Sequence, residues 1–436
     1  MVIYLPLRAH RPSRPIARAL WAALLSLAAA FPAARAQPPG PGRQPAWQAA
    51  WSTSLQAIPD LPNPPPLYKK PDVAGRTVRQ IIVPALDGRD ARLRVSNRYG
   101  TQPLVIERAV IARSDGGAGL VAGSAQAVTF GGRPALTLAP GAEADSDGIS
   151  FSVVRDKPLA VSLTLGPRQT LQAWHRVANR INFISSEGDH AADVPGTAFH
   201  GRITQFAWLT QLSVSGARAG GLAAIGDSIT DGMRSTLGTR HSWPEDLARR
   251  AAAEGLPLAV HNAGISGNRL LSDSPCYGER VVGRFEHDAA TLPGVRAVIL
   301  LAGINDINFA AMPARRGLDC DFPHTQVGAN DLINGYRRVI EAAHQHGLRI
   351  FGATLTPAAL PPGNEAIRAE VNHWIRAGGG FDGVVDFDAA LRDPQHPTRL
   401  LPAYNSGDDI HPSDAGYAAM AQAVPLTLLR DISSHP

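Results

Sequence analysis

Near the middle of the chain, Gly226-Asp227-Ser228-Ile229-Thr230 follows a short apolar run, Leu222 to Ile225. That pattern predicts a β-strand whose tip turns a serine outward, which makes Ser228 a candidate nucleophile. A serine hydroxyl attacks poorly until a neighbouring base takes its proton, and imidazole is the base whose pKa suits neutral pH. Downstream, Asp408-Asp409-Ile410-His411-Pro412 supplies one, with Asp408 three residues before His411 on the turn-prone stretch Ser406-Gly407-Asp408-Asp409. A carboxylate there would hold the imidazole tautomer and stabilise the imidazolium; Asp409 is its rival for that role. Between these ends lie Asn262-Ala263-Gly264-Ile265-Ser266-Gly267-Asn268 and Gly303-Ile304-Asn305-Asp306. Acyl transfer needs donors aimed at the negative oxygen of the tetrahedral intermediate, each worth about 3 kcal/mol. The two middle segments, rich in glycine and asparagine, could supply such donors.

As a set, the four segments resemble the SGNH (GDSL-type) hydrolase family, over roughly residues 220 to 433. The resemblance implies a catalytic Ser228, Asp408 and His411, with Asp-x-x-His spacing selecting Asp408 over Asp409. It also implies an oxyanion hole made by the Ser228 N–H, the Gly267 N–H and the Asn305 amide, with Asp227, Asp306 and Asn268 as supports. The Gly-x-Ser-x-Gly elbow of the larger α/β-hydrolase fold is not matched, because Ile229-Thr230 follows Ser228. Arg269 reads equally as a contact for a polar substrate or as the partner of an acidic neighbour. His175, Asp189 and His190 invite a metal reading, but such loop residues are commonly plain polar groups, and no metal or cofactor is expected.

Positioning these groups requires a sheet whose strands end along one edge. From Leu222 the chain alternates strand, loop and helix. Leu258 to His261, Ala297 to Leu301, the stretch from Arg349 to about Leu355 and Gly383 to Phe387 read as buried strands. Trp243 to Glu254, Asn330 to His346 and Asn364 to Ala377 have helical spacing, the first starting at Trp243-Pro244 as a helix packed on the sheet. The expected fold class is α/β, an SGNH-type three-layer domain with a parallel sheet over 219–436. Before it, over 72–218, short β-branched runs such as Val78 to Val83, Arg92 to Ser96, Leu104 to Ile106, Ile149 to Val154 and Leu159 to Leu165 predict an antiparallel β-sandwich-like domain. Ser213 to Gly221 reads as the linker between the halves.

The first 36 residues hold five arginines, an apolar stretch from Ala19 to Phe31 and Ala34-Arg35-Ala36, and read as a cleaved secretory signal. A Pro-rich, irregular segment, 37–71, follows. The apolar stretch is short of the ~20 residues that span a bilayer, so no integral membrane segment is expected after cleavage. Removing the leader takes five of the 42 basic residues and leaves 37, against 37 acidic ones. A neutral mature chain implies no basic face for nucleic acid. Cys276 and Cys320 are the only cysteines, and in an exported chain they favour one disulfide, worth roughly 4 kcal/mol in the entropic account.

These readings converge on a secreted or periplasmic serine esterase. The β-rich half ahead of the hydrolase half resembles secreted acetylxylan and aryl esterases, which implies a short acyl group on a small-molecule or polysaccharide ester. A lysophospholipase, lipid or aryl esterase is the alternative within the class. Outside it stands an inactive glycan-binding protein, for which Trp174 and Trp208 would be stacking candidates.

Overall fold

Alternating apolar and polar residues in the first half form antiparallel strands, and the continuous apolar runs of the second half form parallel ones. A computed structural model describes residues 47–433. The expected secretory signal, 1–36, lies outside the described residues. The β-rich half comprises β1 (Trp47–Ser52), β2 (Gln56–Ala57), β3 (Arg76–Ile82), β4 (Ala91–Ser96), β5 (Leu104–Arg113), β6 (Gln126–Val128), β7 (Leu136–Leu138), β8 (Glu143–Asp145), β9 (Leu159–Leu165), β10 (Ala173–Trp174), β11 (Asn182–Glu187), β12 (Phe199–Ile203) and β13 (Leu209–Ser215). One sheet runs β1-β13-β4-β8; a larger one runs β12-β11-β3-β9-β5-β6, with β7 also on β5. Leu93, Val95, Leu212 and Val214 of the first and Val78, Ile111, Val161 and Leu163 of the second share one buried cluster. Each such side chain contributes roughly 1.5–3 kcal/mol by leaving water.

Three expectations are corrected here. Part of the Pro-rich segment is not irregular, because Trp47–Ser52 contains no proline and pairs with β13, Trp47 opposite Ser215. Ile149 to Val154 makes only isolated bridges, Ala91 to Ile149 and Gly88 to Val153, instead of a strand. The expected linker is largely strand, since β13 runs to Ser215 and the next strand starts at Gly220. Gly220 and Gly221 serve close packing rather than flexibility. A Cβ at Gly220 would stand 1.8 Å from the Ile432 carbonyl oxygen, and one at Gly221 would stand 2.8 Å from that of Gly294.

In the second half, β14 (Gly220–Gly226), β15 (Leu258–Gly264), β16 (Val295–Leu301), β17 (Arg349–Ala353) and β18 (Gly383–Val385) form a parallel sheet in the order β15-β14-β16-β17-β18. The helices are α1 (Ser228–Asp231), α2 (Trp243–Ala253), α3 (Val281–Phe285), α4 (Ile304–Phe309), α5 (Ala329–Gln345), α6 (Pro362–Arg376), α7 (Phe387–Leu391), α8 (Asp414–Ala423) and α9 (Leu426–Ser433). This is the expected α/β class, with a β-rich region ahead of it. Trp243 is fully buried and its ring centroid lies 5.2 Å from that of Phe387, as a helix start packed on the core. Gly226 stands opposite both Gly264 and Leu301 in register, so the loops after β14, β15 and β16 leave one edge of the sheet at the same level. No helix among the described residues is long and apolar enough to cross a membrane.

Candidate active site

The nucleophile turn is set by capping. Asp227 precedes α1 and accepts the Ile229 N–H at 3.0 Å, and Gly232 closes the helix with φ +97°. Ser228, its first residue, has an N–H with no intrahelical acceptor available. The base arrives from the far end of the chain on the turn between Asn405 and Pro412, which pair as an isolated bridge. His411 Nε2 lies 2.8 Å from Ser228 Oγ, and His411 Nδ1 lies 2.8 Å from Asp408 Oδ2. An ionised carboxylate only accepts, so Nδ1 donates and Nε2 is left to accept the serine proton.

Asp408 is kept ionised by its turn. Partial burial works against its charge, but the His411 N–H at 2.8 Å, the His411 side chain and the Ile410 N–H at 3.1 Å hold its pKa well below the usual carboxylate range. Asp409 faces elsewhere, at φ +63°, and accepts the Asn405 amide at 2.7 Å. Arg234, which the sequence reading passed over, donates to Asp408 Oδ2 at 3.1 Å. The link between the Ser228 turn and the base turn is completed by Thr236 on Asp414, at 2.9 and 2.6 Å, and by Tyr417 Oη on the Met233 carbonyl, at 2.7 Å.

On the other side, β15 ends in the loop 265–268 and β16 in the loop leading to Asn305. The Asn305 amide donates to the Asn268 carbonyl at 3.0 Å, which brings it beside Gly267. Gly267 has φ +82°, and a Cβ there would meet the Tyr277 ring at 2.3 Å, so both backbone shape and space demand glycine. Asn268 is buried; its amide donates to the Tyr277 and Glu279 carbonyls at 2.7 and 2.8 Å, and its Oδ1 receives Arg284 at 3.0 Å. Asp306 accepts the Leu270 and Leu271 N–H groups at 2.7 and 2.9 Å. Burial raises the Asp306 pKa to about 6, the two N–H bonds and Arg269 opposing it. Burial likewise raises Asp227 to about 7, against the Ile229 N–H and with Asp306 and Asp231 nearby.

The Arg269 guanidinium turns inward. It is buried and donates to four backbone carbonyls, those of Asp273, Asp321, Pro323 and Phe322. It thereby clasps the two loops joined by the Cys276–Cys320 disulfide, whose sulfurs are 2.02 Å apart. Trp174 and Trp208 are both buried in the β-rich core, so neither offers a stacking face. His175, Asp189 and His190 do not converge: His175 bonds Asp231 at 3.0 Å, Asp189 bonds Arg108 at 2.8 Å, and His190 bonds Asp193 at 2.8 Å.

Arg284 was also missed. It is fully buried on α3 and donates to the carbonyls of Gly226 and Ala263, each at 2.8 Å, and to Asp288 at 3.0 Å. One guanidinium thus fixes the ends of β14 and β15 together with Asn268. An arginine inside the apolar run Val281-Val282-Gly283-Arg284-Phe285 was the available signal, because such a charge is rarely buried unpaired.

Residues 224–419 match the family model described as the GDSL-like lipase/acylhydrolase family. No curated protein matches the chain. Among solved structures, a family two carbohydrate esterase from Cellvibrio japonicus is similar at 13% identity, over 89% of this chain and 96% of that one, with a TM-score of 0.36. A variant of an acetyl xylan esterase from Geobacillus stearothermophilus is similar at 25% identity, over 49% and 94%, with a TM-score of 0.35. A GDSL-like lipase from Bacteroides thetaiotaomicron is similar at 18% identity, over 48% and 88%, with a TM-score of 0.34. Residues 224–419, which include Ser228, thus form a GDSL-like lipase/acylhydrolase domain of the serine hydrolase type.

Proposed function

We propose that the protein is an exported serine esterase that removes short acyl groups, acetyl above all, from carbohydrate esters without a cofactor. The unbroken chain Asp408–His411–Ser228, with 2.8 Å at each step, carries the reading. Ser228 Oγ attacks the ester carbonyl as its proton passes to His411 Nε2, and the negative oxygen settles against the N–H groups of Ser228 and Gly267 and the Asn305 amide. Collapse breaks the bond to the alcohol oxygen, which leaves with the proton from His411. Water, deprotonated by the same imidazole, then releases the acid from Ser228.

A short acyl group suits the side chains beside Gly267. The Tyr277 ring packs on Gly267 and stacks on Phe309 with centroids 5.4 Å apart, placing bulk beside the oxyanion loop.

The test is hydrolysis of p-nitrophenyl acetate, butyrate and decanoate and of acetylated xylan by the mature chain and by Ser228→Ala. Acetate release lost in the variant, with little decanoate cleavage, supports the reading. Preference for decanoate moves the substrate class to lipids, and equal traces in both proteins remove the serine mechanism. Export is tested separately, by finding the chain shortened after Ala36 outside the cytoplasm.

A further inference from the structure

A buried chain of hydrogen bonds joins the β-rich half to the oxyanion loop. His175 follows β10, is 6% exposed, and places Nδ1 2.9 Å from the Ser54 carbonyl and Nε2 3.0 Å from Asp231 Oδ1. Both partners accept, so both ring nitrogens donate and the ring is an imidazolium. Burial works against that charge, but the Asp231 carboxylate and hydrogen bonds to Asp231, Ser54 and Val177 outweigh it and raise the His175 pKa. The other Asp231 oxygen accepts the Ser266 N–H at 2.9 Å and the Ser266 hydroxyl at 2.6 Å. Asp231 closes the helix that Ser228 opens, and Ser266 immediately precedes Gly267.

We propose that His175 is a positioning residue: the β-rich half lends an imidazolium that holds Asp231, and Asp231 holds the Ser266–Gly267 peptide so that its N–H faces the oxygen developing at Ser228. The inference rests on the esterase reading above. A buried ion pair is a poor way to gain stability, since an apolar pair of the same shape often does as well; orientation is what this one provides. Ser54 and its neighbours grip the same loops a second time, because Ser54 Oγ receives Arg284 at 3.4 Å and the Gln56 amide bonds the Cys276 carbonyl.

The experiment compares the mature wild type with His175→Ala and Ser266→Ala. It measures kcat and KM on p-nitrophenyl acetate, affinity for a phenylboronate that mimics the tetrahedral state, and the circular dichroism melt. In His175→Ala, kcat is expected to fall about 10- to 100-fold, the scale of a misplaced catalytic dipole, with KM within about twofold and boronate affinity falling in step with kcat. His175 lines a cavity of about 90 Å³, so added imidazole should refill the enlarged space and restore part of kcat, after subtracting its rate with the Ser228→Ala/His175→Ala double variant. Ser266→Ala keeps the backbone bond to Asp231 and should lose kcat in the same sense, by a smaller factor. A folded His175→Ala with wild-type kcat and boronate affinity overturns the inference. So does an unfolded His175→Ala accompanied by a Ser266→Ala that is wild type in both readouts. A wild type inert toward every ester overturns the esterase reading and this inference with it, whereas an active wild type matched by an active His175→Ala overturns this inference alone.

Discussion

Ser228 is served by a partly exposed flank and a buried one, and the carboxylates on the two flanks are perturbed in opposite directions. On the base flank, His411 and Asp408 keep 17% and 23% of their side-chain surfaces in solvent, and Asp408 is held ionised by N–H groups of its own turn. On the oxyanion flank, Asp227, Asp306, Asn268 and Arg284 are all buried, and burial raises both Asp227 and Asp306. The difference follows from the work of each side. A base must exchange protons with water, so a local polar turn at the surface suffices. Donors for an oxyanion must stand still while charge develops, which calls for a packed, water-free setting that cannot reorganise.

Substitutions can sharpen or break this contrast. Asp408→Asn keeps the shape of the turn but presents an amide to Nδ1, favouring the wrong tautomer; kcat on p-nitrophenyl acetate should drop by about 10⁴. Asn305→Ala removes one oxyanion donor and should cost about 10² to 10³ in kcat, with KM little changed. Equal and small losses in the two variants would erase the division of labour.

A smaller effect concerns pH and stability. Native Asp227 keeps its proton up to about pH 7, whereas the unfolded side chain loses it near pH 3.9. Between those values the folded state binds more protons, so this group makes wild-type stability fall as pH rises. Asp227→Asn abolishes that dependence. Its stability relative to wild type should therefore rise by about 2–3 kcal/mol from pH 5 to 7 and level off above, as read by urea unfolding at pH 5, 7 and 8. A gain that is flat with pH would mean that Asp227 is ionised throughout. The smallest effect belongs to Arg234→Ala. The Arg234 side chain is 52% exposed, so loss of its pair with Asp408 should change kcat/KM by no more than a few-fold and less still at high salt.

What was legible in the sequence was chemistry written in short spacings. The run Leu222 to Ile225 before a Gly-Asp-Ser turn places a serine at a strand tip, and Asp408 and His411 share one turn, so their meeting needs only local geometry. The parallel strands were readable for the same reason, as apolar runs between helical stretches. Misreadings came where a local pattern was put to a tertiary use. Gly220 and Gly221 resemble a linker, yet they open a strand pressed on the Ile432 and Gly294 carbonyls. Arg269 follows the oxyanion glycine by two residues, yet its guanidinium turns inward to carbonyls near Asp321, 52 positions away.

By itself, then, the sequence offered a candidate nucleophile, a candidate base and the two-part layout, because strand period, turn composition and side-chain acidity act over a few residues, and the family resemblance joined them into one kind of reaction. Only the tertiary structure decided which buried groups hold the donors in place. His175 and Asp231 are 56 residues apart, Ser54 and His175 121 apart, and Ser54 and Arg284 230 apart. Such pairs leave no spacing signal, since hydrogen bonds form between groups that packing brings within about 3 Å, whatever length of chain lies between them.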